Sequence, residues 1–370
     1  TGEDNILEYC PKGLVACISP WNFPLAITLG QIAAALVTGN TVIAKASEET
    51  SLIAFKAAGL FFNHGLPKDA LHLLLGDGRV GQAIITSQAL DLVVFTGSLK
   101  TAKSIHNSLS NKSGKIVPLI AETGGLNSMV VDSSALIERA CDDIMRSAFN
   151  SAGQRCSALR LLLVHETIYE ELILMLKGMM SELIIGNPSN SSVDMGPIIS
   201  VEATQELYDY INRSDPERLA IFQPQAPDEH RKQWFLPTLI ELKSINTLNE
   251  EKFGPILHVL RFTEETLDSN LAQITAKGFG LTFGIHTRID AKAIHASKLV
   301  SAGNTYINRD IIGAVVESQP FGGKNLSGTG FKAGGPNYLM QFTDERTISI
   351  NTVAIGGNAE LLNQASEDAP

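Results

Sequence analysis

Cysteine is scarce in this chain. Four residues in 370, Cys10, Cys17, Cys141 and Cys156, are too few and too scattered for a disulfide framework, and no Cys-x-x-Cys pair offers zinc a seat. A reducing cytosol fits best, so a cytoplasmic protein without a bound metal is expected. No run of five or more like charges occurs; the formal net charge of −10 is spread along the sequence, which argues against nucleic acid as a partner. The longest apolar stretches, such as residues 32–37 and 159–164, fall far short of the roughly 18 residues of a membrane span, so no membrane contact is expected. The start lacks a basic segment followed by an apolar core and does not read as a secretory signal. Instead a polar stretch, residues 1–8, leads quickly into the strand-like residues 14–19, and the chain is expected to begin mid-protein. Internal repeats and low-complexity tracts are missing too. What is present is 44% hydrophobic side chains, enough for a large core and, at this length, for two domains.

Between Leu14 and Glu122 short β-type apolar runs alternate with longer helical ones. The strand candidates are residues 14–19, 41–45, 71–75, 92–95 and 116–121, with Pro24 opening and Gly39 closing the first intervening helix. Repeated βα units imply an α/β fold with a parallel sheet covered on both faces. A second alternating region follows: a strand at 129–131, a helix over 135–150, a strand at 159–164 and a helix over 167–183, which make a second α/β lobe. Residues 186–231 are polar and punctuated by Asn-Pro, Gly-Pro and Ser-Asp-Pro, and read as surface structure. Residues 321–335 are rich in glycine and poor in core formers; a long ordered loop of that kind is more often functional than filler.

Cys17 and Cys141 read as small buried hydrophobes, but Cys156 lies among Ser151, Gly153, Gln154, Arg155 and Ser157, a polar turn between a helix and a strand. A thiol there can serve as a nucleophile if nearby donors or dipoles favour the thiolate over its ordinary pKa of about 8.5. Glu122 follows a strand and precedes Gly124 and Gly125, which places a carboxylate at the carboxyl edge of the parallel sheet, where ligands bind. Gly76-Asp-Gly78-Arg-Val-Gly81 spells a dinucleotide fingerprint, yet no acidic residue follows near residues 96–99, about 20 positions on, so the match is weak.

Taken in order, Pro20-Trp-Asn22-Phe-Pro, Glu122-Thr-Gly-Gly, Gly153-Gln-Arg-Cys156, Glu251-Lys-Phe253-Gly-Pro and the glycine-rich loop at Phe321 resemble the aldehyde dehydrogenase superfamily, from about Glu8 to Asn351. The resemblance implies that Cys156 attacks an aldehyde, that Glu122 activates the water which releases the acid, and that Asn22 helps hold the oxyanion. It implies NAD as cofactor. The pyrophosphate would sit at Phe95-Thr96-Gly97-Ser98, where a strand runs into a helix start, although Ala102 stands where the family often has a second glycine. Lys45 and Glu48 would bond the adenosine ribose, with Ala46 in place of the usual proline, and the carboxylate would repel the 2′-phosphate of NADP. Glu251 and Phe253 would meet the nicotinamide half; Ile18, Pro20, Trp21, Gly78, Thr123 and Gly124 complete the cofactor set, Gly78 towards the adenine. Phe23, Arg155, Ser157, Ser327, Gly328 and Phe331 are the implied substrate contacts.

Within the superfamily the chain is similar to the L-glutamate γ-semialdehyde (1-pyrroline-5-carboxylate) dehydrogenase module of bacterial bifunctional proline utilisation A proteins. The residues carrying this are Ala121-Glu-Thr-Gly-Gly, Ser151-Ala-Gly-Gln-Arg-Cys-Ser-Ala-Leu-Arg160, His286-Thr-Arg-Ile-Asp290, Gln319-Pro-Phe-Gly-Gly323, Leu326-Ser-Gly-Thr-Gly330, Lys332-Ala-Gly-Gly-Pro336 and the tail 350–359. That similarity implies oxidation of the semialdehyde to glutamate, a covalently linked proline dehydrogenase domain, and a substrate carboxylate held by backbone and hydroxyl donors of Ser327 and Gly328. The implied organisation is an NAD-binding domain over 1–123, a catalytic domain over 124–336, an oligomerisation flap over 337–353 that makes at least a dimer, and a tail over 354–370. Rival readings are a dehydrogenase of another aldehyde, an acyl phosphate or acyl-coenzyme A former, for which Glu122 has little use, and an assembly module without turnover.

Overall fold

The structure, a computed structural model, describes residues 3–213, 215–225 and 232–351. The chain opens on β1 (Glu3–Pro11), which finds its partner only at the other end of the sequence. Then come β2 (Leu14–Ile18), α1 (Ala26–Val37), β3 (Thr41–Lys45), α2 (Ser51–Asn63), β4 (Leu71–Leu74), α3 (Gly78–Thr86), β5 (Leu92–Gly97), α4 (Leu99–Ser110) and β6 (Leu119–Thr123). The strands form one parallel sheet in the order β4-β3-β2-β5-β6. Runs such as Val15-Ala16-Cys17 and Leu92-Val93-Val94 are buried throughout because helices cover both faces. Ile32, Ala35 and Ala58 of α1 and α2 pack on one face, while Ile84, Ile85, Ala102 and Ile105 of α3 and α4 pack on the other. The winding direction reverses between β2 and β5, and a crevice opens at such a switch point, beyond the carboxyl ends of the strands.

The last strand runs Leu119–Thr123 rather than 116–121, because Pro118 has no N–H to give and Ile116 lies exposed before it. Glu122 is therefore inside β6, paired with Thr96 of β5, not beyond the strand end.

The chain continues through β7 (Ser128–Val131), α5 (Ile137–Phe149), β8 (Leu161–His165), α6 (Tyr169–Glu182), α7 (Val201–Asn212), β9 (Arg218–Phe222), β10 (Thr238–Leu242), β11 (Ile256–Phe262), α8 (Leu267–Ala276), β12 (Phe279–Gly280), β13 (Thr282–His286), α9 (Asp290–Leu299) and β14 (Asn304–Ile307), and all of these strands but β12 form a second sheet. Its seven strands run β14-β13-β7-β8-β11-β10-β9, all parallel except β9, which lies antiparallel to β10. The polar stretch 186–231 is more than surface: α7, capped by Ser200, buries Thr204, Leu207 and Ile211, spacings of three and four that make one apolar stripe.

Residues 321–335 are not a free loop. Lys324–Asn325 (β15) pairs with β12, Phe321 pairs with Ala333, and residues 327–329 lie along the free edge of β6, with the Thr123 N–H donating to Ser327 O and the Thr329 N–H to Ala121 O, both at 3.0 Å. This covers an open sheet edge and ties the two sheets together. Finally β16 (Thr343–Asn351) pairs antiparallel with β1 from Glu3↔Asn351 to Pro11↔Thr343. The segment expected as a flap over 337–353 thus carries a strand up to Asn351, and its partner is the N-terminal stretch read as a polar lead-in; the tail over 354–370 lies outside the described residues. Among the described residues no helix is long and apolar enough to cross a membrane.

Candidate active site

The carboxyl ends of β2, β3, β5 and β6 face a cleft whose opposite wall comes from segments leading into β8 and β11 of the second sheet. A cavity of about 460 Å3 is lined by Pro20, Trp21 and Asn22 after β2, Thr96, Gly97 and Ser98 after β5, Thr123 and Gly124 after β6, and Cys156, Glu251 and Phe253 from across the cleft. It adjoins one of about 340 Å3 lined by Ile18, Lys45, Gly78, Phe95 and Ser98. Pro20 and Phe279, 259 positions apart in sequence, both line the larger cavity.

The nucleophile sits on a strained turn. After α5 ends, Ser151, Ala152 and Gly153 take φ values of 56°, 54° and 64°, a left-handed run rarely adopted by residues with a Cβ. At Gly153 a side chain would also collide with the backbone of Gly254. Polar side chains hold the turn: Gln154 accepts from the Ile199 N–H at 2.8 Å and donates to Pro197 O, Asn127 donates to Cys156 O at 2.6 Å and to Ala158 O at 2.9 Å, and Asn22 Nδ2 donates to Gln154 O at 3.1 Å. Asn22 is thereby fixed beside the nucleophile turn. Burial first, then the carboxylates of Glu251 and Glu122, push the Cys156 thiol up to about 12, against the pull of the Ser157 and Cys156 N–H groups. In this state it rests as a thiol.

Glu122 is half satisfied. Its Oε2 accepts from the Gly323 N–H at 2.9 Å, while Oε1 is buried and has no partner among the described residues. Burial raises its pKa to about 8, opposed by the Gly323 N–H and by the Lys332 ammonium. Lys332 donates to Gly303 O. Glycines 322, 323 and 328 surround this carboxylate, and a side chain at Gly322 or Gly328 would press on Oε1.

On the cofactor side, Lys45 Nζ and Glu48 Oε2 pair at 2.8 Å, and the contact with Lys45 holds Glu48 below the usual carboxylate range. Ser98 caps α4 by accepting from the Thr101 N–H, and the first turn of α4 carries no acidic residue, so its free N–H groups and dipole face the cleft with positive polarity. Gln31 Oε1, buried and without a partner among the described residues, lies on the amide that donates to Thr96. A donor and an acceptor suited to ribose hydroxyls, Lys45 and Glu48, at one end and an anion-ready helix start in the middle fit a dinucleotide. Gly78 starts α3 behind the Asp77 cap, at the Lys45 end of the cleft, in keeping with an adenine-side place.

Two residues that the sequence placed in motifs without a role gain one from the structure. Arg160, buried at the start of β8, pairs with Glu251 at 3.0 Å, and Lys332 influences Glu122. A buried arginine before an apolar run was a signal, because it demands a partner; nothing local marked Lys332.

The substrate contacts divide. Arg155 lies over the Phe23 ring at 5.5 Å, close to Asn22, and Ser157 follows the nucleophile with its N–H towards the thiol. Phe331 is half exposed and lines neither cavity. Ser327 corrects the expectation of a hydroxyl that donates to substrate: it is 0% exposed, donates to Gly124 O at 2.9 Å and accepts from the Gly280 N–H at 3.0 Å. Its one proton is committed to the protein.

A parallel sheet open at its carboxyl edge, a cysteine turn facing it and a buried carboxylate define a two-lobed α/β class of fold with a thiol–carboxylate site between its sheets. The sequence matches the model of the aldehyde dehydrogenase family over residues 1–348, and the chain belongs to that family. It is 46% identical to the bifunctional protein PutA of Klebsiella aerogenes over 346 residues, 91% of this chain and 26% of that protein. A crystal structure of a proline utilization A (PutA) variant from Bradyrhizobium japonicum superposes with a TM-score of 0.92 at 50% identity, covering 96% of this chain and 36% of that one. A 1-pyrroline-5-carboxylate dehydrogenase from Thermus with bound NAD superposes with a TM-score of 0.88 at 30% identity, covering 95% and 68%. The chain thus spans about a quarter of the length of the PutA relative it matches.

Proposed function

We propose that this chain carries out the NAD-dependent oxidation of L-glutamate γ-semialdehyde to L-glutamate, through Cys156 and Glu122, within a protein that also holds a proline dehydrogenase domain. The observation that carries the reading is the nucleophile turn: Cys156 is held at the head of the cofactor cleft, with Asn22 and a buried, half-satisfied Glu122 beside it.

The chemistry follows from the residues. The Cys156 thiol gives its proton to solvent water, and its sulfur bonds to the aldehyde carbon as the carbonyl π pair moves onto oxygen. The negative charge that grows on the aldehyde oxygen is met by the second hydrogen of the Asn22 amide and by the Cys156 N–H. Bound along the cleft, NAD would take up the hydride whose departure turns the thiohemiacetal into a thioester. Glu122, as carboxylate, then takes a proton from water; the hydroxide oxygen bonds to the acyl carbon, the C–S bond breaks, and the sulfur recovers a proton. Glu48 favours NAD over NADP because its charge repels a 2′-phosphate. With Ser327 committed elsewhere, the substrate's charged end is assigned to backbone N–H groups of the 327–329 segment, of which Gly328 alone has no acceptor among the described residues.

The test is NADH formation by the intact protein with glutamate semialdehyde beside propanal. The reading requires a clear preference for the semialdehyde and its loss in Cys156→Ala with NADH binding retained. Equal turnover of both aldehydes overturns the substrate assignment, and wild-type rates in Cys156→Ala overturn the mechanism.

A further inference from the structure

Arg160 has no part in the reaction as derived above, yet the two walls of the cleft converge on it. It follows the nucleophile turn, opens the path into β8, and is 1% exposed. A guanidinium so deeply buried persists only when its charge is matched, and here both terminal nitrogens are bonded while Nε has no partner among the described residues. NH2 donates to Glu251 Oε1 at 3.0 Å and to Arg155 O at 3.2 Å, and NH1 donates to Gly254 O at 2.9 Å. The same guanidinium lies over the Phe253 ring at 5.5 Å, and Phe253 meets Trp21 edge-on at 5.5 Å. One side chain thus holds the turn that carries Cys156 and the loop that carries Glu251 and Phe253. Its backbone is held as firmly: Arg160 O accepts from the His258 N–H at 2.9 Å, and the His258 ring meets Tyr210 Oη at 2.8 Å.

Glu251 is the acidic side chain this arrangement serves. It lines the cleft, a side chain at Gly124 would collide with its Oε2, and among the described residues Arg160 is its only ion-pair partner. Burial raises the pKa of this carboxyl, and the Arg160 guanidinium is the strongest influence drawing it back towards its charged form. A neutral carboxyl would lose the charge-assisted bonds that favour a ligand's hydroxyl groups.

We propose that Arg160 is a positioning residue that fixes Glu251 as an oriented anion on the wall of the cleft, and so sets the affinity for the cofactor's ribose hydroxyls. This rests on the NAD reading above.

The experiment is a double-mutant cycle read by NADH fluorescence titration of the intact protein, with Cys156 alkylation by iodoacetamide as a check that the turn is intact. Arg160→Met should weaken NADH binding about tenfold or more, and Glu251→Gln about as much. The double variant should be no weaker than the worse single by more than about twofold, because the two residues act as a unit. Arg160→Lys, which keeps a cation near Glu251, should lose less than Arg160→Met, and the KM for NAD should rise more than kcat falls. Arg160→Met leaves a buried carboxylate unpaired and can fail to fold. In that case the double variant, without either charge, and Arg160→Lys decide the matter. Losses that multiply in the double variant, or wild-type affinity in Arg160→Met, overturn the role of Arg160 alone. Wild-type protein that does not bind NADH overturns the cofactor reading and this one with it.

Discussion

Burial makes Glu122 a weaker acid than it is in water, so its work as a base depends on pH. Its pKa is raised to about 8, so the fraction able to act as base grows as pH rises towards 8 and levels off above it. Thioester release should therefore climb about tenfold per pH unit below that point. Lys332 opposes the rise, so Lys332→Met should move the midpoint to higher pH, which a pH profile of steady-state NADH formation at saturating substrate reads directly; a midpoint that moves down would remove Lys332 from the site. Glu122→Gln should give a burst of NADH about equal to the number of sites and then stall, because the hydride leaves before water enters. Rapid-mixing absorbance that shows steady turnover and no burst would exclude the carboxylate as the hydrolytic base.

At the scale of elements, the turn before Cys156 and the segment along β6 carry the precision of the site. Gly153 is left-handed and sits against the Gly254 backbone, so Gly153→Ala should cost about 1–3 kcal/mol of stability and most of the activity. Unchanged thermal melting and alkylation of Cys156 would show that the turn relaxes freely. Ser327→Ala removes a buried hydroxyl that bridges Gly124 and Gly280, so it should cost about 1–3 kcal/mol and lower kcat/KM for charged and uncharged aldehydes alike. A loss confined to glutamate semialdehyde would return Ser327 to the substrate. The sequence makes plain the parallel strands of the first sheet, because β-branched runs buried on both faces leave a continuous apolar signature. It is silent where the partner is distant. β1 pairs with residues over 300 positions away, α7 hides its stripe behind Pro and Asp punctuation, and Pro118 shifts β6 so that Glu122 falls inside it. The motif residues Asn22, Cys156, Glu251 and Phe253 do meet in one cleft, whereas the partners of Arg160 and Lys332 lie across turns that no local pattern reveals, and Ser327 is polar for the sake of the fold.

For the whole molecule, the β1–β16 ribbon is the part left unexplained by the site. A two-stranded ribbon is marginally stable alone, yet this one runs nine residues a side and leaves Ile6, Leu7, Tyr9 and Ile350 exposed. Among the described residues its two strands pair only with each other, so its outer edges offer unpaired backbone groups and its faces offer apolar side chains. Those are the properties of a surface that closes against a second copy, where like ribbons can pair about a two-fold axis. The intact protein should therefore be at least a dimer by light scattering. Leu7→Asp, which puts a charge on the ribbon far from the cleft, should shift the population towards monomer at micromolar concentration. Iodoacetamide should still label Cys156 in that variant at close to the wild-type rate, because the nucleophile turn is pinned by Asn22, Asn127 and Gln154 from within one chain. A wild-type protein that is monomeric, or a dimer that Leu7→Asp leaves intact, would show that the ribbon serves some other surface.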